Sequence, residues 1–572
     1  MVSAQIRVKK IPTFDFMNPL LQTENLRIHF KGQEKPAVDE ISFALEEGKV
    51  LGIVGESGSG KSLTALSIMG LLPEKGLDTK GEILFSGGGK QHNLLKMKEK
   101  LMRKLRGNLI CIIFQEPMTS LNPSMKCGIQ SGEQLRLHLG YSKKKAKNAI
   151  LEMFAKVKLP DPEKAYQSYP HQLSGGQRQR VMIAMAMAMK PKILIADEPT
   201  TALDVSVQKE ILELIRELQK ENNTSVIFIS HDLAVVKSLA DDILVMKNGQ
   251  IKEYGAAKKV FENPESDYSK ALLACRPKME EKQERLLTVD DIIGGKTDSD
   301  KTIKTVPDYS SYPIFEVKNL NTWFPLKKHG KKNAPAWLKA NEDISFSVRK
   351  GETLGIVGES GSGKSTLIRS ALQLIKPNSG SVYYNSLDLC GLSNSKMRKY
   401  RKDLQIIFQD PYSSLNPQMR IDKTLLEPMQ AHSVLSKKSE RLEHIVEMLE
   451  KTGLKADDLK KYPHQFSGGQ RQRIVIARAL LLQPKIVFCD ESVAALDVSV
   501  QAQVLNLLND LKAEFGLTYL FISHDLNVIH HMSDRILVMQ KGKIVEAGSS
   551  EEIISNPQQE YTKMLIEAVP TL

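Results

Sequence analysis

Two kinds of hydrophobic run recur along the chain. Short, unbroken, β-branched runs at residues 50–54, 193–196 and 226–229 predict strands buried on both faces, as in a parallel sheet. Each leads into a polar motif rather than a hairpin turn. Longer stretches with apolar residues three and four apart, such as 207–218 and 500–511, predict amphipathic helices. Strands and helices in this alternation predict an α/β fold. Between residues 62 and 197 lies a long Lys-rich and Met-rich region, which predicts a separate helical lobe. The longest apolar run near the middle, residues 181–189, stops at Lys190. A membrane-spanning helix needs about 20 such residues.

The pattern then repeats. Residues 169–180 read YPHQLSGGQRQR and residues 462–473 read YPHQFSGGQRQR, an offset of 293. The same offset relates Asp197-Glu198 to Asp490-Glu491 and His231-Asp232 to His524-Asp525. It also relates Asn263, Pro264 and Tyr268 to Asn556, Pro557 and Tyr561. Upstream the offset is 303, linking GESGSGKS at 55–62 to GESGSGKS at 358–365. Such a period is too long for a solenoid and reads as a tandem duplication of one large unit. The expected organisation is an N-terminal tail (1–18), a first unit (19–275), a linker (276–313) and a second unit (314–572). The linker is polar and mixed in charge, with a Gly pair and room for one short helix.

Composition narrows the class. The chain has 572 residues, 41% hydrophobic and 26% charged, an ordinary globular balance. Its five cysteines form no CxxC pair, which predicts neither a disulfide framework nor a cysteine metal site and suits a reducing compartment. The start, with Lys9 and Lys10 followed by Pro12, Asp15, Asn18 and Pro19, does not read as a secretory signal. The net charge of +13 suits nucleic acid, an anionic membrane surface or an anionic ligand, and by itself decides among none of them.

The chemistry lies in the repeated motifs. Gly55 to Ser62 and Gly358 to Ser365 fit GxxxxGK[ST] between a predicted strand and a predicted helix. Glycines there let successive N–H groups turn onto phosphate oxygens, and the helix N-terminus adds partial positive charge. Gly55, Ser57, Gly58, Ser59 and Gly60, with Gly358, Ser360, Gly361, Ser362, Gly363 and Thr366, are therefore candidate phosphate-loop residues. Lys61 and Lys364 are candidates for the β- and γ-phosphates, and Ser62 and Ser365 for Mg²⁺. Asp197 and Asp490 close apolar strands, where a contact to Mg²⁺, direct or through one of its ligands, is needed. Glu198 and Glu491 follow and are candidates to polarise the attacking water. His231 and His524, each 33 residues beyond its glutamate in a FISHDL string, are candidate γ-phosphate contacts.

Each half resembles the ATP-binding cassette of ABC transporters. The string that carries this is Leu173-Ser174-Gly175-Gly176-Gln177, matched by Phe466-Ser467-Gly468-Gly469-Gln470. The resemblance implies an α/β fold with two tandem ABC ATPase domains. Each has a RecA-like P-loop lobe with a parallel-sheet core, an antiparallel β subdomain and a helical signature lobe. It implies ATP and Mg²⁺ as cofactors, Gln115 and Gln409 as Q-loop residues near the metal or the water, and Asp204 and Asp497 in D-loops. Phe30 and Phe324 resemble the aromatics that stack on adenine, with core packing as the alternative and Trp323 as a neighbouring candidate. The signature, opening a helix, is an anion site that in this family faces the ATP of the opposite cassette. Lys61 and Glu198 are thus expected to work with Ser467, Gly468 and Gly469, and Lys364 and Glu491 with Ser174, Gly175 and Gly176. The halves depart from one another at Pro199-Thr200 against Ser492-Val493 and at Met185 against Arg478.

FQEPMTSLNP at 114–123 and FQDPYSSLNP at 408–417 are similar to the Q-loops of ATP-binding subunits of dipeptide/oligopeptide uptake transporters, a group that includes nickel and glutathione importers. That likeness implies a fusion of two usual subunits, two integral-membrane permeases and an extracytoplasmic solute-binding protein as partners. It also implies a peripheral place on the cytoplasmic face of the bacterial plasma membrane, with no direct nucleic acid. Some relatives in that group carry an iron–sulfur segment after the first cassette; with only Cys275 there, no cluster is expected. Lys96, Lys98, Lys100, Arg103, Lys104 and Arg106, then Lys396, Arg398, Lys399, Arg401 and Lys402, precede the two Q-loops and read as a solvated helix face or as contacts to headgroups or permease loops. The alternative function is a soluble tandem-ABC ATPase acting on the ribosome or nucleic acid. A third is a scaffold that binds nucleotide without hydrolysing it.

Overall fold

A computed structural model describes residues 19–570 apart from 74, 88, 116–119, 201–202, 280–281, 297–306, 308, 326–336 and 495. The tail 1–18, residues 116–119 of the first Q-loop string and much of the linker lie outside the described residues. The chain forms two compact units. One comprises Met1–Pro199, Glu213–His231 and Val235–Asn263; the other comprises Thr200–Leu212, Asp232–Ala234 and Pro264–Leu572.

The first unit is built on a six-stranded sheet in the order Gln250–Ala256, Asp242–Lys247, Val50–Gly55, Ser225–Ser230, Ile193–Asp197, Ile110–Ile113. All neighbours are parallel except the first pair. The three apolar runs are its central strands, buried along their whole length. That is why they read as continuous hydrophobics rather than alternating ones. A four-stranded antiparallel sheet, Val38–Leu45, Leu21–Phe30, Leu77–Phe85, His92–Asn93, lies over it. Leu26, Ile28, Ile41 and Phe43 share one core with Ile53, Ile195, Ile227 and Leu244. The Lys- and Met-rich region supplies helices Lys143–Lys156 and Gly175–Met187. The buried face of the first is only Ala146, Ile150 and Phe154, a spacing of four that leaves the lysines in water.

The second unit repeats both sheets. The larger runs Leu404–Ile407, Ile486–Asp490, Thr518–Ile522, Thr353–Val357, Arg535–Gln540, Lys543–Ser549; the smaller runs Trp337–Val348, Phe315–Pro325, Ser379–Tyr384, Leu387–Asp388. The same unit holds helices Asp267–Ala274 and Val289–Ile293. The segment expected as linker thus contains ordered, buried positions, Leu286 and Val289 among them.

The two copies differ at the start of the phosphate-loop strand. In both, an aspartate accepts the strand's first N–H, Asp241 from Val50 and Asp534 from Thr353, each at 2.8 Å. The flanking charges are exchanged. Lys49 lies beside Glu46 at 2.7 Å in the first unit. Its counterpart Glu352 is fully buried, accepting from Arg349 N at 2.6 Å and Arg535 Nη1 at 2.9 Å. Breaking a buried pair by removing one partner costs about 3–5 kcal/mol. Glu352→Ala is expected near the lower end, because Arg535 keeps partial contact with water, and a lower urea midpoint measures it. Reversing the pair, with Glu352→Arg and Arg535→Glu together, should recover part of the loss.

Candidate active site

The strand Val50–Gly55 ends in a loop that only glycine can make. Gly55 has φ 151°, and a Cβ there would meet Met246 O at 2.1 Å. Gly60, which caps helix Lys61–Ile68, has φ 100°. The second copy repeats this at Gly358 and Gly363, with φ 152° and 103°. Gly58 and Gly361, also left-handed, face open space. Lys61 folds back into this loop. Its Nζ donates to Gly55 O at 2.7 Å and Glu56 O at 2.8 Å. Lys364 does the same to Gly358 O at 2.6 Å and Glu359 O at 2.9 Å. Both lysines are nearly fully buried, and burial lowers the pKa of Lys364 despite Glu491, Asp204 and Asp490 nearby. Two ammonium groups held by neutral carbonyls are well placed to exchange those partners for phosphate oxygens.

The acidic pair completes the constellation. Ser62 Oγ donates to Asp197 Oδ1 at 3.1 Å, and Ser365 Oγ to Asp490 Oδ1 at 2.8 Å. Burial pushes both aspartates above the usual carboxylate value. Hydroxyl and carboxylate side by side are the oxygen donors that a hard cation takes. Glu198 and Glu491 are hubs. Glu198 Oε2 accepts from Gln115 Nε2 at 2.8 Å and lies 3.2 Å from His231 Nδ1. Glu491 Oε2 accepts from Gln409 Nε2 at 2.7 Å and lies 3.5 Å from His524 Nδ1. Both glutamates adopt a left-handed backbone, φ 48° and 49°. This costs a non-glycine residue energy and aims the carboxylate away from its strand. The structure therefore brings Lys, Ser, Asp, Glu, Gln and His together at one strand-end edge, twice.

Both members of the second glutamate–histidine pair are shifted. Burial disfavours charge on His524, but its hydrogen bond to Glu491 prevails and holds it above the ordinary 6.5. Burial also pushes Glu491 up, and His524 with Lys364 brings it below 4.5. The histidine's contribution to stability is whole below pH 6.5 and is lost as pH rises through its raised value. The glutamate's is whole above pH 4.5 and is lost as pH falls through its lowered value. In the nucleotide-free chain, the melting-temperature difference between the parent and His524→Gln should peak between pH 4.5 and 6.5. It should shrink on the alkaline side.

Comparison with known proteins bears on this double constellation. The family model described as ABC transporter matches residues 38–201 and 341–494. The chain belongs to the ABC transporter family. It carries two ATP-binding cassettes and is an ATPase of that family. A second model, described as the C-terminal region of oligopeptide/dipeptide transporters, matches 252–301 and 545–572. A glutathione import ATP-binding protein of Salmonella paratyphi A is 43% identical over 96% of this chain and 88% of its own length. One of Escherichia coli K12 is 44% identical over 96% of this chain and 89% of its own. A solved dimeric ATP-binding cassette bound to ADP and phosphate in a post-hydrolysis state is 28% identical, covering 41% of this chain and 99% of its own, with a TM-score of 0.37. The two glutathione import proteins and the oligopeptide/dipeptide transporter region do not favour a ribosome- or nucleic-acid-directed ATPase.

In the ABC cassettes the signature closes on itself. Ser174 Oγ accepts Gln177 N at 3.3 Å while Gln177 Oε1 accepts Ser174 N at 3.1 Å. Ser467 and Gln470 repeat this capping box, so the glutamine pins the serine and leaves the Gly175-Gly176 and Gly468-Gly469 amides at the helix start. Asp204 belongs to the second unit, where its carboxylate accepts Ser360 N and Ser206 Oγ donates to Glu359 Oε1 at 2.7 Å. Asp497 stands at the N-cap of helix Val498–Phe515. Phe30 and Phe324 sit at the ends of their strands. Trp323 precedes Phe324 in the same strand, with Lys339 over its ring at 5.3 Å. Thr366 lies in the first turn of helix Lys364–Ala371.

Sequence reasoning had no signal for two features. Next to Gln409 the second cassette has a cleft of about 780 Å³ lined by Arg401, Phe408, Glu427 and Arg478 among others. Arg478, the residue that departs from Met185, donates to Ser414 O at 2.9 Å. Of the basic residues before the first Q-loop, Arg106 is a staple: it donates to Met69 O at 2.6 Å and Gly70 O at 2.7 Å. Lys96 pairs with Glu82 and Arg103 with Glu99.

Proposed function

We propose that the chain energises uptake of a peptide-class solute, of the dipeptide/oligopeptide type and with glutathione as the leading candidate. The observation that carries this reading is the match to glutathione import ATP-binding proteins across nearly the whole of both chains. The twice-matched oligopeptide/dipeptide transporter region supports it. Among the described residues no helix is long and apolar enough to cross a membrane. The membrane passage therefore belongs to partners: two permeases, with a solute-binding protein delivering to them. The chain sits peripherally on the cytoplasmic face, and the cleft beside Gln409 suits a short permease helix.

Within each cassette, Lys61 or Lys364 holds the β- and γ-phosphates, and the loop amides wrap them. Ser62 with Asp197, and Ser365 with Asp490, hold Mg²⁺, which when bound neutralises phosphate charge. Glu198 and Glu491 orient and polarise water, steadied by Gln115 and His231 or by Gln409 and His524. Turnover at Glu198 draws on Ser467, Gly468 and Gly469, and turnover at Glu491 on Ser174, Gly175 and Gly176. Substitution of either signature serine by arginine should therefore depress hydrolysis. Cells lacking the chain should lose accumulation of radiolabelled glutathione or dipeptides. The parent chain should restore it, and the Glu198→Gln, Glu491→Gln double variant should not. Undiminished uptake of all such solutes in the deletion would overturn the solute class.

A further inference from the structure

We propose that Arg276 is a positioning residue for hydrolysis at the first cassette. It holds the turn that carries His231, and it is itself held by an anchored segment that follows the cassette. This rests on the proposed role of His231. The contacts involved lie within the second unit, which includes Asp232–Ala234 and everything from Pro264 onward.

Asp232 follows His231 directly. Its Oδ1 accepts two hydrogen bonds, from Ala234 N at 2.9 Å and from Arg276 Nη1 at 2.9 Å. The first caps helix Leu233–Leu239. The second comes from a guanidinium only 11% exposed, so the pair is less screened and less mobile than a surface ion pair. One carboxylate oxygen thus joins the backbone just after the histidine to a cation more than forty residues downstream.

The arginine is fixed from both sides. Before it, Cys275 closes helix Asp267–Ala274 and is fully buried. After it the chain is anchored: Lys282 Nζ donates to Ser533 O at 2.6 Å and Arg285 pairs with Asp510 at 2.7 Å. The backbone of Leu286 is bonded on both sides by one buried side chain, its N–H to Asn506 Oδ1 at 3.0 Å and its C=O from Asn506 Nδ2 at 2.8 Å. Leu286 and Val289 are 1% and 2% exposed. A side-chain amide satisfied by a single backbone residue is a specific anchor, because no other register pairs both its donor and its acceptor.

Among the described residues the device is seen once. At the repeat offset, Arg276 corresponds to Val569 and Asn506 to Glu213. Asp525, the counterpart of Asp232, accepts the capping N–H of Asn527 at 2.9 Å, and among the described residues it has no ion pair. Equal motifs in the two cassettes therefore carry unequal support.

The test uses the full-length chain with Arg276→Ala and Arg276→Lys. Misplacing a reacting group by about 1 Å can cost about 10²-fold. Loss of one brace should slow the first site about tenfold; because the second site keeps turning over, kcat of the whole chain should fall to about half, with KM for ATP within about twofold of the parent. Arg276→Lys, which keeps the charge, should recover most of it. To locate the effect, a photoactivatable ATP analogue is trapped with vanadate, and the halves are separated at a protease site inserted after residue 300. Arg276→Ala should reduce trapped label on the N-terminal half alone. Unchanged kcat, a KM rising in step with the loss, no recovery with lysine, or equal loss from both halves would each overturn the assignment. Glu198→Gln is the control. Unchanged turnover in that variant removes the catalytic reading itself, whereas a normal loss there beside an unaffected Arg276→Ala removes only the role of Arg276.

Discussion

Replacing Glu198 and Glu491 together by glutamine is expected to cut ATP turnover by about 10³-fold, within the range that general-base groups supply, while ATP still binds. Each carboxylate has one oxygen shared between a glutamine amide and a histidine nitrogen. Glutamine fits the same space, and its amide oxygen can keep both contacts, but it carries no charge and cannot take a proton from the attacking water. The left-handed backbone of both positions is unaffected by the change, so a folding defect is not the expected cause of any loss. Phosphate release measures turnover, and equilibrium dialysis with labelled ATP measures binding. A scaffold that only binds nucleotide would show no dependence on these residues, so undiminished phosphate release in the double variant would discard the assignment of the base.

The second large effect is expected at the loop lysines. Lys61→Ala with Lys364→Ala should weaken ATP binding by about 10²-fold or more, since hydrogen bonds to charged groups contribute about 1.5–3 kcal/mol each and each ammonium would make several. The folded chain should tolerate the change, because each lysine donates to main-chain oxygens of its own loop, Gly55 O and Glu56 O in the first cassette. Those carbonyls border an open phosphate site and can turn to water. Tight ATP binding by the doubly substituted chain, followed by dialysis, would contradict the phosphate assignment.

Much of the site was readable because its residues work at strand ends. The glycine loop, Asp197-Glu198 and His231 each terminate an unbroken apolar strand, and parallel strands place such ends on one edge. Strands inferred at 50–54, 193–196 and 226–229 are Val50–Gly55, Ile193–Asp197 and Ser225–Ser230; the first two extend into Gly55 and Asp197, and the third stops one residue before His231. Tertiary pairings were less legible. Nothing in the polar stretch around Leu286 announces that Asn506 will bind its backbone, since the signal is one buried amide 220 residues away. The exchange of Lys49 for Glu352 beside Asp242 and Arg535 is visible in the duplicate strings, but only contact reveals it as a swapped pair. Arg276 stands at the edge of the expected linker, and in the sequence Asp232 is only the neighbour of His231 in a repeated string.

The central claim is that this ABC ATPase powers permeases in a membrane. Isolation of the native, full-length chain in mild detergent tests it most directly, with every co-purifying component identified by mass. The account predicts two hydrophobic integral-membrane proteins in stoichiometric amounts. Ribosomal particles or nucleic acid in their place, with no membrane protein retained, would contradict it.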